Sequence, residues 1–113
     1  MEISVVASFP GRQESLSTLG DSFRVAPWQD RSGISIELMD GSSSGLIDQA
    51  IVQFVSALRT AITEVPANGE LRVAVYFSPQ EVAGLVISLP EAVLRLLTDT
   101  GLSLEVACFP CSS

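Results

Sequence analysis

The sequence predicts an α+β fold: a two-layer sandwich, with a mixed or antiparallel sheet of about four to six strands and two main helices on one face. Three observations carry this expectation. Several segments alternate apolar and polar residues with the period of a half-buried strand. Two other stretches, one at about 45–64 and one after Pro90, repeat apolar residues at three- and four-residue steps, as a helix lying on a sheet does. Each of these lies between strand-like segments and so reads as a crossover, and right-handed crossovers put both helices on the same side of one sheet. The chain of 113 residues forms a single domain, 1–113, large enough to bury about two thirds of the surface its unfolded form exposes.

The elements follow in order. EISVVASF (2–9) places Ile3, Val5, Ala7 and Phe9 on one face and Ser4 and Ser8 on the other, with Val6 as the exception. PGRQ then turns the chain. ESLSTLGD (14–21) fits a short helical turn with Leu16 and Leu19 inward and Gly20 at its close. SFRVAPW (22–28) is extended, and Pro27 ends it or confines it to an edge. ISIELMD (34–40) sets Ile34, Ile36 and Leu38 against Ser35, Glu37 and Met39. DGSSSG (40–45) is a loop whose serines suit a helix cap.

The first helix, about 45–64, carries the stripe Ile47, Ile51, Phe54, Leu58, Ala61, Ile62 and Val65. Pro66 and Asn68–Gly69 stop it. ELRVAVYF (70–77) is the clearest strand, with Leu71, Val73, Val75 and Phe77 opposed to Arg72, Ala74 and Tyr76. A loop and a short extended piece, GLVIS (84–88), lead to the second helix. Ser88 with Glu91 fits a capping box and Pro90 a first turn. Val93, Leu94, Leu96 and Leu97 give its apolar side, and Gly101 fits a left-handed stop. LSLEVACF (102–109) closes the sheet, with Leu102, Leu104, Val106 and Cys108 on one face and Phe109 turned away. Short links make the early strands antiparallel, and the small or polar residues on one side of the strands leave that face open.

Composition narrows the chemistry. Thirteen acids oppose six bases, all arginine, for a net charge of −7, with no lysine and no histidine. No Ser-His-Asp or Cys-His system can be built, nor a lysine Schiff base or phosphate-loop lysine. GSSSG lacks the spacing of a glycine-rich phosphate loop, and Asp40 and Asp48 flank it. The acids occur singly, and strict alternation puts Glu37 and Asp40 on opposite faces. The expectation is a non-enzyme with no catalytic, metal-ligating or cofactor-binding residue. The acidity argues against nucleic acid. It suits a basic protein partner, although solubility alone accounts for an acidic surface. No apolar run approaches the ~20 residues of a membrane span, and the first residues carry Glu2 and no basic region. The expected setting is cytoplasmic, with no membrane association.

Two features invite a sharper reading. Cys108 and Cys111 resemble a redox or metal pair. Alternation puts Cys108 inward, where it would serve as a small hydrophobe. Cys111 lies past Pro110 with no helical pattern after it to activate a thiol. A zinc site needs four ligands, and the sequence holds no other Cys and no His; a disulfide between the two suits a reducing cytosol poorly. Trp28, near Asp30 in PWQDRSG, is the candidate partner-binding anchor. The plainer reading folds the ring back over the core edge.

GLVISLPEAVLRLLTDTGLSLEVACF (84–109) resembles the C-terminal block of a bacterial family known as domain of unknown function 4279. The shared elements are Gly84, Ser88, Pro90, Glu91, the Leu94–Leu97 stretch, Gly101 and the strand Leu102–Phe109. The helix at 45–64 followed by ELRVAVYF fits the family's order, so the likeness covers roughly residues 45–109. APWQDRSG departs from the family's approach to its second strand. The resemblance implies a small α+β protein of the kind found beside polymorphic toxins and proposed as immunity proteins, acting by binding a toxin, often a basic nuclease. It supplies no catalytic residues. The alternative is a homo-oligomeric module, a homodimer for example, joined through an exposed sheet face or edge such as the final strand.

Overall fold

The structure, a computed structural model, describes residues 1–11, 14–28, 33–41, 46–81, 84 and 86–111, with Glu14, Ser15 and Trp28 described by their backbone alone. Its elements are β1 (Glu2–Pro10), a 3-10 helix (Glu14–Asp21), β2 (Arg24–Trp28), β3 (Gly33–Gly41), α1 (Ile47–Ala61), β4 (Glu70–Phe77), α2 (Glu91–Thr100) and β5 (Ser103–Pro110). The sheet runs β2-β3-β1-β4-β5. β1 lies antiparallel between β3 and β4, β2 pairs antiparallel with β3, and β4 and β5 are parallel. The α+β sandwich expected from the sequence is therefore present, with a five-stranded mixed sheet and the helices on one face.

The core forms between that face and the helices. Ile3, Val5, Ala7 and Phe9 of the central strand are fully buried, as their alternation demands. α1 adds Ile47, Ala50, Ile51, Phe54, Val55 and Leu58. The 3-10 helix adds Leu16 and Leu19, and α2 adds Val93 and Leu97. Burying each large aliphatic or aromatic side chain is worth about 1.5–3 kcal/mol. Phe54 also meets Phe23 edge-on, with ring centroids 5.8 Å apart and planes at 84°, the geometry that aromatic quadrupoles favour.

Helix ends differ in part from expectation. α1 ends at Ala61 because Ile62 turns extended, its N–H still donating to the Leu58 carbonyl. Ile62 and Val65 nevertheless pack against the core. The cap position of α1 is Leu46, which has no side-chain cap bond; the serines of DGSSSG lie outside the described residues. Pro90 caps α2, again without a side-chain cap bond. Glu91 is therefore the first helical residue, too early to close a capping box with Ser88, and it pairs with Arg95 one turn on. At the other end the expectation holds. Gly101 is left-handed (φ 79°), and its N–H donates to the Leu97 and Thr98 carbonyls. Leu102 N–H also reaches the Leu97 carbonyl, completing a Schellman motif.

Three sheet details depart from simple alternation. Val5 faces Met39 but Val6 faces Glu37, so Leu38 is an extra residue in a β-bulge. Beyond it the faces shift by one, which puts Glu37 and Asp40 on the same, uncovered face rather than opposite ones. GLVIS forms no strand at Gly84 or Val86–Ser88. Both edges of β4 are taken, by β1 and β5, so Val86–Ser88 lead to α2 without pairing. Finally, Leu104, Val106 and Cys108 lie opposite Leu71, Val73 and Val75 on the helix side, as alternation predicts. They are nevertheless exposed, Leu104 at 38% and Val106 at 47%, with Cys108 open as well. β5 is the outermost strand, beyond the cover of the helices, so Cys108 is a surface thiol rather than a core residue.

Among the described residues no helix is long and apolar enough to cross a membrane.

Candidate functional site: an uncovered sheet face

Among the described residues no element covers the face of the sheet turned from the helices. Cross-strand pairing arranges its side chains in rows. At one end Glu2 on β1 stands opposite Tyr76 on β4, and Tyr76 opposite Phe109 on β5. The next row is Asp40, Ser4, Ala74 and Ala107. The third is Arg24, Glu37, Val6, Arg72 and Glu105. The last is Ala26, Ser35, Ser8, Glu70 and Ser103. Small residues in the middle leave a groove of about 310 Å³ lined by Ser4, Val6, Ser8, Arg72 and Ala74 among others.

Charge along these rows is uneven. In the third row Arg24 pairs with Glu37 at 3.5 Å, and Arg72 pairs with Glu105. Those bridges are at least partly open to water and each is worth about 0–1 kcal/mol. Their consequence is electrostatic: the arginines of the face are neutralised where they stand. Among the described residues Glu2, Asp40 and Glu70 have no ion-pair partner. Among the described residues the unpaired cationic side chain is Arg59, on α1 and across the sheet. The end carrying Glu2 and Asp40 thus holds two carboxylates without an ion-pair partner among the described residues.

Two aromatic rings sit at that same end. Neighbouring strands lie about 4.8 Å apart, which lets the paired Tyr76 and Phe109 stack, with centroids 5.3 Å apart and planes 20° from parallel. Both stay open, at 40% and 42% exposure. Tyr76 also lines a shallow cleft of about 570 Å³ with Glu2, Asp40, Phe77, Ser78 and Cys111. The Ser78 hydroxyl in this cleft is buried and has no hydrogen-bond partner. Unpaired carboxylates and an open aromatic stack together suit a cation on an apolar stem. A guanidinium or ammonium over a ring face gains about 0.5–1 kcal/mol at an exposed site, and a carboxylate adds a charge-assisted hydrogen bond.

Comparison with family models, curated proteins and solved structures gives no match to this chain.

Of the residues singled out in the sequence, Trp28 ends β2 opposite Gly33, and its side chain and Asp30 lie outside the described residues. Tyr76, Phe109, Glu2 and Asp40 were not singled out as a site. Tyr76 and Phe109 do carry a sequence signal: each is the large aromatic on the polar side of an otherwise regular strand. Their neighbourhood carries none, because it depends on β4 and β5 pairing in parallel register. Among the described residues no three acidic or thiol groups gather as metal ligands would.

Proposed function

We propose that this protein works by binding a basic protein partner on its uncovered sheet face, not by turning over a substrate. The observation that supports the reading is the row Glu2–Tyr76–Phe109 with Asp40 beside it: an exposed aromatic stack flanked by unpaired carboxylates. Aromatic anchors within a polar rim are the usual energetic centre of a protein interface. A net charge of −7 would speed the encounter with a cationic partner. The likeness of residues 45–109 to domain of unknown function 4279 points to one biological setting. In it the chain is a cytoplasmic bacterial immunity protein and the partner its cognate toxin, a basic nuclease for example.

The test is affinity capture from the native organism at low and high salt, with the wild type and with a Glu2→Gln, Asp40→Asn, Tyr76→Ala variant. The reading expects one basic protein at equal stoichiometry, lost at high salt and lost with the variant. Titration with that purified protein should then show at least a tenfold weaker complex for Tyr76→Ala alone, and co-expression should suppress the toxin's effect on growth. A partner retained undiminished by the triple variant, or no partner at low salt, refutes the reading.

A further inference from the structure

We propose that the outer edge of β5 is the seam of a homodimer, pairing antiparallel with β5 of a second copy about a two-fold axis at Val106. This goes beyond the partner site on the sheet face and uses different backbone and side-chain groups.

The direction of the backbone groups comes first. Ser103 N–H donates to the Gly69 carbonyl at 3.2 Å, and Cys111 N–H donates to the Phe77 carbonyl at 2.7 Å. In a strand, alternate residues direct their N–H and C=O to opposite sides. The odd-numbered residues of β5 therefore bond to β4. Leu104, Val106 and Cys108 direct both groups outward, where no strand follows among the described residues. Pro110 has no N–H to offer and marks the end of the free edge.

The opposite edge differs. Carrying the same alternation through β4, β1 and β3 turns Val25 and Pro27 of β2 outward. That strand is five residues long, and proline removes one of its outward donors, a common protection of an exposed edge. β5 is eight residues long and has no proline, bulge or unpaired charge before Pro110. Its charged residue, Glu105, is neutralised within the chain by Arg72. Its outward-bonding residues are also the ones whose apolar side chains stand exposed on the helix side: Leu104, Val106 and Cys108. A free edge with an apolar row beside it invites strand addition.

The register follows from β5 itself and selects a second copy. With Val106 opposite Val106, Leu104 faces Cys108, Glu105 faces Ala107, and Ser103 faces Phe109. Every outward N–H then meets an outward C=O. Moving the axis to residue 105 sets Glu105 against Glu105, a like-charge pair that destabilises a sheet. Moving it to residue 107 sets Leu104 against Pro110, which has no N–H to give. The favoured register avoids both faults. The axis stands perpendicular to the sheet, so both sets of helices lie on one side and the two uncovered faces become one. The apolar rows of the two copies meet on the helix side of the joined sheet.

Light scattering and sedimentation equilibrium at 0.1 M and 0.5 M salt test the proposal. The expected mass is twice the 12.0 kDa of the chain. Association should strengthen with salt, because screening weakens the repulsion between two chains of charge −7. Val106→Arg sets two cations face to face at the axis and should weaken the dimer at least tenfold with the circular dichroism spectrum unchanged. A second variant tests the register: Leu104→Cys in a Cys111→Ser background should cross-link through a short bismaleimide, which alkylates one thiol at each end, to Cys108 of the second copy. Cys111→Ser alone should not, since the two Cys108 residues are four positions out of register. A monomer mass at every concentration up to about 1 mM, a dimer indifferent to Val106→Arg, or cross-linking by Cys111→Ser alone overturns the proposal.

Discussion

Replacing Gly69 by alanine tests the packing where the turn before β4 meets the core. The φ angle of Gly69 is not positive, so conformation does not require glycine there; space does. A Cβ at this position would stand 2.5 and 2.8 Å from two carbons of the Phe9 ring and 2.7 Å from a Leu102 methyl. Carbon atoms rest about 3.5–4.0 Å apart, so something must move by about an ångström. Phe9 is fully buried in the central strand. The Gly69 carbonyl accepts the Ser103 N–H that opens the β4–β5 ladder. Relief therefore disturbs either the core or that first ladder bond. Overpacking of this kind costs about 1–3 kcal/mol. Against it stands a gain of about 0.4–1 kcal/mol from the stiffer unfolded chain. The net expectation is a loss of about 1–2 kcal/mol, or a melting temperature lower by about 4–8 °C for a domain of this size. Urea unfolding reads the free energy directly. Gly20→Ala is the control, since nothing lies within 4 Å of its added Cβ, and it should be neutral or slightly stabilising. Leu102→Ala should reduce the penalty of Gly69→Ala in the double variant by removing one of the clashing groups. If Gly69→Ala is as stable as the wild type, the close approach of Gly69, Phe9 and Leu102 is wrong.

Three further outcomes follow from the fold. Phe54→Ala removes a fully buried ring that packs edge-on against Phe23 and should cost about 3–5 kcal/mol in denaturant unfolding; a loss under 1 kcal/mol would place α1 elsewhere. Gly101→Ala forces a side chain into the left-handed stop of α2 at φ 79° and should cost about 1–2 kcal/mol, with hydrogen exchange rising in the last turn of the helix. Cys108 and Cys111 are both exposed and free, so a chromogenic disulfide reagent should titrate two thiols per native chain without denaturant; a single fast thiol would mean that Cys108 is covered.

Alternation and helical period made most of the layout legible, because each is local. The rows Ile3–Phe9 and Leu71–Val75, the stripe from Ile47 to Leu58 and the stop at Gly101 all follow from residues within a few positions of one another. What escaped was lateral. Alternation says that Cys108 shares a face with Val106, but not that the strand carrying both is outermost, and that decides whether the face is covered. Asp40 escaped for a related reason. Its face depends on a bulge at Leu38 that exists only against Val5 and Val6 of β1, some thirty residues upstream. The candidate site is a product of both effects. Parallel register brings Phe109 beside Tyr76, and the bulge turns Asp40 toward the cleft that Glu2 and Tyr76 line.

The two surfaces proposed for β5 share a strand but respond oppositely to salt, and this makes them separable. Phe109 serves the uncovered face, where attraction between an acidic chain and a cationic partner weakens as ions screen it. Val106 serves the edge, where two acidic copies repel and the same ions relieve the repulsion. Edge pairing would place two Tyr76–Phe109 stacks on one continuous face, so a partner with two basic patches could engage both. The second engagement would then be intramolecular, at an effective concentration set by the rigid sheet rather than by the solution. Val106→Arg distinguishes the arrangements. If the dimer matters to binding, this variant weakens capture of a bivalent partner while a single isolated basic patch from that partner binds as before. If each copy binds alone, both affinities stay unchanged.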